Sequence, residues 1–212
     1  LVAFRGIDRW VRKIEQAPID AEMPDNDAEK RHEPWVRSKG TYLITGGLGG
    51  IGLTMAKSLA EKGAGKLILL GRKVFPEPST WSQWLDEHAD DDYTSDQIRT
   101  LQDIESFGAQ VVLQSVDVAD AVDMETVLTR LLADTAVIHG VIHAAGAMDD
   151  QLLLAKTPES VMTVMNAKIS GTMILDALLS EQKLDFFVLF SSVASYLGLP
   201  GQIDYTAANA FL

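Results

Sequence analysis

The chain has 212 residues, of which 47% are hydrophobic, and it carries a formal net charge of −12. This charge argues against nucleic-acid binding, because a phosphate backbone is neutralised by clustered lysine and arginine. The absence of cysteine excludes disulfides and thiolate chemistry. The chain also has no apolar run of the ~20 residues that a membrane span needs. We therefore expect a cytoplasmic protein with neither nucleic-acid nor membrane partners.

The first 39 residues differ in composition from the rest. Alternating apolar residues around positions 10–14 predict a strand with one apolar face. Residues 18–39 contain three prolines and several acids, which predicts a linker or a surface excursion. The charge run from Glu22 to Arg31 is interpreted as a solvated face. The chain starts without methionine or a signal peptide, so we expect it to be cut from a longer polypeptide.

From Thr41 onward, strand patterns and helix patterns alternate. Strands are predicted at 41–45, 66–70, 110–114, 136–143 and 184–190. Helices are predicted at 50–62, from a Thr94 or Ser95 cap to 107, from an Asp120 cap to 133, from 158 through 178, and at 205–212. The first helix has Ile51, Met55 and Leu59 on one side. The apolar positions of the long helix include Val161, Met165, Ile169, Met173, Leu175 and Leu178. This alternation predicts a doubly wound parallel sheet with helices on both faces.

Residues 74–95 interrupt that alternation. They contain two prolines and two tryptophans, and we interpret them as an insertion with a short helix near 81–88. The acids Asp90, Asp91 and Asp92 lack the alternating spacing and the glycine of a calcium loop. They are interpreted as a solvated loop, and no metal site is predicted.

A glycine-rich stretch joins the first strand to the first helix. It comprises Gly46, Gly47, Leu48, Gly49, Gly50, Ile51 and Gly52. Glycine allows positive φ in the turn and lets backbone N–H groups approach an anion at the helix N-terminus. A strand, this turn and a helix, followed by a second strand, predict a dinucleotide pyrophosphate site. The alternative is a glycine-rich turn without a ligand.

Small and polar residues follow the carboxyl ends of the other predicted strands, where ligands bind in such sheets. They are Arg72, Asp117, Ala144, Ala145, Gly146, Ser191 and Ser192. After the second strand an acid would indicate NAD, whereas Arg72 suits the 2′-phosphate of NADP(H). The alternative for Arg72 and Lys73 is a surface pair. Tyr205 and Asn209 share one helical face. Taken alone, Tyr205 is more simply a half-buried helix tyrosine and Ser192 a turn residue.

Several motifs, in order, resemble one family. They are T-G-G-L-G-G-I-G at 45–52, L-G-R-K at 70–73, D-V-A-D at 117–120, V-I-H-A-A-G at 141–146, K-I-S-G at 168–171, F-S-S-V-A-S at 190–195 and Y-T-A-A-N at 205–209. The chain resembles the short-chain dehydrogenase/reductases and, among them, the ketoreductase domains of modular polyketide synthases. The resemblance implies a Rossmann-like fold and NADPH. It also implies that Asp117 and Val118 flank the adenine and that Ala144–Gly146 line the cofactor.

The resemblance further implies the catalytic residues Lys168, Ser192, Tyr205 and Asn209. In the wider superfamily a lysine follows the active tyrosine by four residues. Here Asn209 stands in that position and Lys168 lies on the long helix, as in the ketoreductases of polyketide and animal-type fatty acid synthases. Tyrosine has an ordinary pKa of about 10, and a nearby lysine ammonium favours its phenolate. Asn209 would complete a proton relay or hold Lys168.

The family also offers an expectation about stereochemistry. B-type domains, which give the D-configured alcohol, carry an L-D-D triplet, and the aligned residues here are Met148, Asp149 and Asp150. The opposite type carries a tryptophan where this chain has Leu197. The position two after Tyr205 is not proline, which makes the subtype that acts on an epimerised α-substituent less favoured. We therefore expect a B-type product.

The resemblance divides the chain into residues 1–39, the end of a structural subdomain plus linker, and residues 40–212, a catalytic domain without its C-terminal part. Its implied partners are an acyl thioester, an acyl carrier protein and neighbouring synthase domains. Since a lid helix and another strand would follow residue 212, we expect the chain alone to turn over weakly or not at all. Two alternatives remain: a non-catalytic structural module of the same synthase, and a free-standing reductase of a steroid or sugar.

Overall fold

The computed structural model describes residues 2–11, 13, 15, 35–89, 91–135 and 137–212. The chain divides into two compact units, Leu1–Pro34 and Trp35–Leu212. The Glu22–Arg31 charge run and most of the predicted linker lie outside the described residues. So do Arg12, Ile14, Asp90 and Ala136, each of which falls within a predicted feature.

The described part of the first unit is a β-hairpin. Strand β1 (Val2–Arg5) pairs antiparallel with β2 (Asp8–Val11). Gly6 forms the turn with φ +64°, a conformation that glycine adopts without a steric penalty. The Arg5 guanidinium lies 5.9 Å from the centre of the Trp10 ring. The sequence predicts one strand here, and the structure has two because the Gly6 turn reverses the chain.

The second unit is a five-stranded parallel sheet with the strand order β5-β4-β3-β6-β7. Helices cover both faces, which confirms the predicted doubly wound fold. The strands of this sheet are β3 (Thr41–Thr45), β4 (Lys66–Gly71), β5 (Gln110–Ser115), β6 (Gly140–His143) and β7 (Phe186–Leu189). The helices are α1 (Gly50–Glu61), α2 (Trp81–Glu87), α3 (Tyr93–Ser106), α4 (Ala121–Thr135), α5 (Pro158–Leu179), α6 (Ala194–Leu197) and α7 (Ile203–Phe211).

Alternate residues of the central strands point into two separate cores. Ile44 and Leu69 pack with α1 and α3 in one core, while Leu43 and Ile68 pack with α4 and α5 in the other. Both faces of the central strands β3, β4 and β6 are therefore buried, as the unbroken apolar run of β4 predicts. The polar ends of the strands are left at one edge, where the candidate site lies.

Several predicted details are wrong, and each has a local reason. On the side of α1 that the spacing marks as apolar, Leu59 is fully buried but Ile51 is 53% exposed, because α1 also buries Leu53 and Ala56. Helix α3 begins at Tyr93 because Asp92, not Thr94 or Ser95, caps it by accepting a hydrogen bond from the Ser95 amide at 2.8 Å.

The long helix and its neighbours also differ from the prediction. Among the apolar positions of the long helix, Leu175 is fully buried but Met173 is 60% exposed, and α5 also buries Val164, Lys168, Gly171 and Leu179. Its first turn is fixed by a capping box between Thr157 and Ser160. Strand β6 begins only at Gly140, and the short helix α6 was not predicted.

Residues 35–39 lie within the second unit and contact its sheet. Val36 is 2% exposed. The Arg37 guanidinium donates to the Asp185 carboxylate at 2.6 Å, and its backbone amide donates to the Tyr42 hydroxyl at 2.6 Å. Trp35 lies 5.6 Å from Phe186, between ring centres. These contacts tie the start of the unit to the beginning of β7.

Within the described part of the chain, no helix has both the length and the hydropathy needed to cross a bilayer.

Candidate active site

The glycine-rich loop has a conformation that side chains would prevent. Gly46 has φ +64°, and a Cβ there would lie 2.8 Å from the Ala144 carbonyl oxygen. A Cβ on Gly47 would lie 2.6 Å from Cβ of Leu69. The Gly49 amide donates to the Gly46 carbonyl at 2.9 Å and closes the turn. The loop therefore needs glycine for its backbone shape and for its approach to the neighbouring strands.

The start of α1 is open toward the site. Its N-cap, Gly49, has no side chain to cap the first amides, and a Cβ on Gly50 would have no atom within 4 Å. A Cβ on Gly52, by contrast, would overlap the Gly46 carbonyl. Uncapped amides at a helix N-terminus attract anions. This cradle fits the pyrophosphate of a dinucleotide.

A cavity of about 590 Å³ lies beside this loop, at the carboxyl ends of the strands. Eight of the predicted cofactor residues line it: Gly46, Leu48, Gly49, Arg72, Asp117, Val118, Ala145 and Gly146. The remaining five, Gly47, Gly50, Ile51, Gly52 and Ala144, shape the loop and its surroundings without lining the cavity. Arg72 and Lys73 bring two positive side chains to its wall, which a chain of net charge −12 needs if it is to bind an anion.

The insertion and the start of α3 supply a wall that was not predicted from the sequence. Phe75, Trp84, Tyr93 and Gln97 all line the cavity. The Gln97 amide donates to the Leu48 carbonyl at 2.6 Å, so the start of α3 holds the glycine loop. Trp84, a large aromatic residue in a break of the strand–helix alternation, is the sequence signal that could have indicated this wall.

Asp92 organises the insertion. It accepts hydrogen bonds from the Ser95 amide at 2.8 Å and from the Trp84 indole at 3.2 Å. These bonds, led by that from Ser95, lower the pKa of Asp92. The carboxylate therefore caps α3 and fixes Trp84 at the cavity wall. Among the described residues there is no group of three histidine, cysteine, aspartate or glutamate side chains placed to hold a metal ion.

The predicted catalytic lysine is buried on α5. Lys168 is 5% exposed, and its amine donates to the Phe190 carbonyl at 2.7 Å, just before Ser191 and Ser192. Burial lowers the pKa of Lys168, because the charged form loses solvation. A Cβ on Gly146 would lie 3.5 Å from the lysine Cε, so the lysine also borders the cavity-lining turn.

Hydrogen bonds connect the other predicted catalytic residues. The Asn209 side chain donates to the Tyr205 carbonyl at 2.7 Å, and the Ser191 hydroxyl donates to the Asn209 carbonyl at 2.7 Å. The Asn209 amide oxygen is buried and has no partner among the described residues. The structure thus brings α5, the end of β7 and α7 together, and the Asn209 amide oxygen among them remains available to accept a hydrogen bond.

Ser192 and Tyr205 each lie partly buried at the start of a helix. The Ser192 hydroxyl accepts from the Ala194 amide at 3.1 Å. The Tyr205 amide donates to Asp204 at 2.9 Å. Neither side chain lines the 590 Å³ cavity, which lies on the glycine-loop side of the sheet end.

The residues predicted to control stereochemistry lie in two separate segments. Met148 is 71% exposed and Leu197 is 62% exposed. Asp149 accepts from the Gln151 side chain at 2.7 Å, and Asp150 accepts from the Gln202 side chain at 2.8 Å. The segment with the two aspartates is therefore bonded to the residues just before Tyr205.

His143, at the end of β6, was not assigned a role by the sequence analysis. It is fully buried, and its Nδ1 lies 2.6 Å from the Thr45 hydroxyl, which accepts from the Ala145 amide at 3.2 Å. The His143 Nε2 is buried and has no hydrogen-bond partner among the described residues. Burial, reinforced by the positive charge of Lys168, lowers the pKa of His143 to about 4.

This buried histidine predicts acid destabilisation. Between pH 6.5 and about 4, His143 is protonated in the unfolded chain but stays neutral in the folded protein. The free energy of unfolding therefore falls as the pH falls, by about 2.5 kcal/mol at pH 4.5, at about 1.4 kcal/mol per pKa unit. Urea unfolding of wild type and His143→Gln at pH 7 and 4.5 measures this. The variant is expected to lose most of that pH dependence, and the exposed His88→Gln variant to keep it. An equal slope in all three proteins would contradict the assignment.

The chain is similar in sequence to a known protein family and to large synthases. A family model described as "KR domain" matches residues 40–212. The 6-methylsalicylic acid synthase of Aspergillus terreus is 38% identical over 209 residues, which are 98% of this chain and 11% of that synthase. Polyketide synthase PksM of Bacillus subtilis is 36% identical over 210 residues, which are 99% of this chain and 4% of that protein. The chain thus spans about a tenth or less of the length of these relatives.

A solved structure is similar over the same range. A ketoreductase domain from the bacillaene assembly line matches with a TM-score of 0.75 and 31% identity, over 99% of this chain and 44% of that chain. The sheet, the glycine loop and the grouping of α5, β7 and α7 described above lie within the matched region.

Proposed function

This chain belongs to the KR domain family of polyketide synthases, and on that premise we propose that it uses NADPH to reduce a β-ketoacyl group to a β-hydroxyacyl group. The observation that carries the proposal is the set of hydrogen bonds around the end of β7. They join Lys168 to Phe190, Ser191 to Asn209, and Asn209 to Tyr205. This set adjoins the cavity beside the glycine loop through Gly146.

The chemistry assigns a role to each residue. When bound, NADPH supplies the hydride that the carbonyl carbon accepts. The Tyr205 hydroxyl gives its proton to the developing alkoxide, and Ser192 donates a hydrogen bond to the same oxygen. Lys168, held by its hydrogen bond to the Phe190 carbonyl, would stabilise the tyrosinate through its ammonium charge. The Asn209 amide oxygen, which is buried without a hydrogen-bond partner among the described residues, would complete the proton relay or hold Lys168.

Arg72 supports NADPH as the cofactor. It lines the cavity with Lys73 at the end of β4, where an acidic residue would favour the 2′-hydroxyl of NAD. A guanidinium forms paired, charge-assisted hydrogen bonds with phosphate. The positive pair therefore favours the 2′-phosphate of NADPH.

We also propose the setting in which the domain works. Residues 1–39 would form the end of a structural subdomain and its linker, and residues 40–212 the catalytic domain. Neighbouring synthase domains in the same polypeptide would include an acyl carrier protein that presents the acyl thioester. With a net charge of −12 on this chain, tethering rather than electrostatic attraction would deliver an acidic carrier.

The test is a product assay on the natural polypeptide that carries this chain. A β-ketoacyl thioester surrogate is supplied with NADPH or NADH, and cofactor oxidation and the chirality of the alcohol are measured. We expect turnover with a clear preference for NADPH and a D-configured alcohol, the B-type outcome. Absence of turnover with either cofactor would contradict the reductase and favour a non-catalytic module, while an L-configured alcohol would contradict the stereochemical proposal alone.

A further inference from the structure

A buried ion pair lies beside the proposed catalytic tyrosine, and the mechanism above does not use it. The Lys156 amine is 2.5 Å from the Asp204 carboxylate. The side chains are 3% and 1% exposed, respectively, so both charges are removed from water. The two residues are 48 positions apart and belong to different segments, the connection before α5 and the first turn of α7.

Each member of the pair also forms a hydrogen bond with a backbone group. The second oxygen of Asp204 accepts from the Tyr205 amide at 2.9 Å. The Lys156 amine donates to the Asp149 carbonyl as well, and its distance to the Asp149 carboxylate is 3.9 Å. The pair therefore connects the backbone of Tyr205 to that of Asp149 through charged, directional contacts.

Two further hydrogen bonds join the same segments. The Gln202 side chain donates to the Asp150 carboxylate at 2.8 Å, and the Gln151 amide donates to the Gly201 carbonyl at 3.0 Å. Residues 149–151, called here the aspartate loop, are thus fastened to residues 201–205. Lys156 and Asp204 are the buried part of this connection, while the bond between Gln202 and Asp150 is exposed.

Stability alone does not account for burying these charges. The desolvation cost of a buried ion pair often offsets its attraction, and apolar residues of similar size frequently serve stability as well or better. A charged pair differs from an apolar contact in direction: the amine and the carboxylate must meet at fixed angles. The pair is therefore suited to fixing the position of α7 against the aspartate loop.

We propose that Lys156 and Asp204 are positioning residues that set where Tyr205 stands relative to the aspartate loop. They thereby influence both the rate of reduction and the face of the ketone that is reduced. This inference rests on the proposed function, in which Tyr205 protonates the substrate oxygen. A displacement of about 1 Å in a reacting group can lower a rate on the order of 100-fold.

The test is made in the natural polypeptide, and its main variant removes both charges of the pair so that neither is left unpaired. The double variant Lys156→Met/Asp204→Leu keeps similar volumes, and Lys156→Met and Asp204→Asn are made alongside it. Lys57→Met is the matched control, because Lys57 forms an exposed 2.9 Å ion pair with Asp103 away from this region. The measurements are kcat and KM for the thioester surrogate, the ratio of D to L alcohol, the NADPH dissociation constant and the melting temperature.

We expect the double variant to fold, to bind NADPH within about two-fold of wild type, and to lose roughly 10- to 100-fold in kcat. The fraction of L alcohol should rise. Because the two residues act as one unit, the kcat of the double variant should be no lower than the kcat of the less active single variant. Lys156→Arg keeps the charge and should recover part of the kcat. Lys57→Met should match wild type in both kcat and product ratio.

Two results would overturn the inference. One is a folded double variant with wild-type kcat and product ratio. The other is a loss of kcat accompanied by an equal loss of NADPH affinity and a lower melting temperature, since that describes general destabilisation. A wild-type polypeptide without reductase activity would contradict the proposed function and the inference with it, whereas an active wild type with unchanged variants would contradict the inference alone.

Discussion

Replacing Tyr205 by phenylalanine should lower kcat for a β-ketoacyl thioester by roughly 100- to 10,000-fold, the range typical of a lost general acid. The substitution removes one hydroxyl and keeps the ring. Lys168, Ser192 and Asn209 remain, and their side-chain hydrogen bonds go to backbone groups rather than to the tyrosine hydroxyl. The fold should therefore persist. Steady-state kinetics with NADPH, together with the NADPH dissociation constant, measure the effect.

Tyr196→Phe is the matched control for this loss. Tyr196 also lies between Ser192 and the end of α7, on the short helix α6, and it is 38% exposed. It should retain wild-type kcat. NADPH affinity should stay within about two-fold of wild type in both variants, because neither tyrosine lines the cofactor cavity. Wild-type kcat in Tyr205→Phe would remove the tyrosine from the mechanism.

The features that could be predicted from sequence are those with a local cause. Strand Thr41–Thr45 was predicted with its observed bounds because an apolar run ends at glycines, and both signals act within a few residues. Asp120 was correctly predicted as a cap, since its carboxylate accepts from the Val122 and Asp123 amides, each at 3.0 Å. The alternation of strands and helices predicted the doubly wound parallel sheet, whereas its strand order was read from the structure.

The features that were missed depend on packing between distant segments. Lys168 is buried because it contacts the Phe190 carbonyl after β7 and lies beside the turn at Gly146. The sequence pattern of α5 does not indicate this burial. Ile51 fits an apolar stripe by spacing, yet α1 is rotated so that Leu53 enters the core. A helical pattern defines a face only to within about one residue, and tertiary contacts select among the possibilities.

The candidate site also contains residues that can be recognised in the sequence and others that only tertiary packing brings to the site. Its glycines, Arg72 and Tyr205 are recognisable in sequence because the motif and its chemistry coincide. The wall built by Trp84 and Gln97 is not, because residues of an insertion reach the cavity only once α3 has packed on α1. The pairing of Lys156 with Asp204 joins residues that no short motif connects. These contacts required the folded chain.

Substituting alanine for Gly52 should damage the unliganded fold and the cofactor site together. The added Cβ would overlap the Gly46 carbonyl and lie 2.8 Å from the Gly47 Cα. Both are backbone atoms with little freedom to move, since Gly46 accepts from the Gly49 amide at 2.9 Å and the Gly47 amide donates to Leu70 at 3.0 Å. Overpacking of this kind costs about 1–3 kcal/mol. We expect the free energy of unfolding to fall by that amount and NADPH affinity to fall at least ~10-fold.

Gly50→Ala separates this steric argument from a general effect of changing the loop. Gly50 lies two residues earlier in the same helix, but a Cβ there would have no atom within 4 Å. Alanine is also the better helix former by about 0.5–1 kcal/mol. Urea unfolding without cofactor, followed by tryptophan fluorescence, should therefore show Gly50→Ala at or slightly above wild-type stability and Gly52→Ala well below it. Equal stabilities for the two variants would mean that the Gly46 carbonyl can move aside, and the loop would then be more compliant than its hydrogen bonds imply.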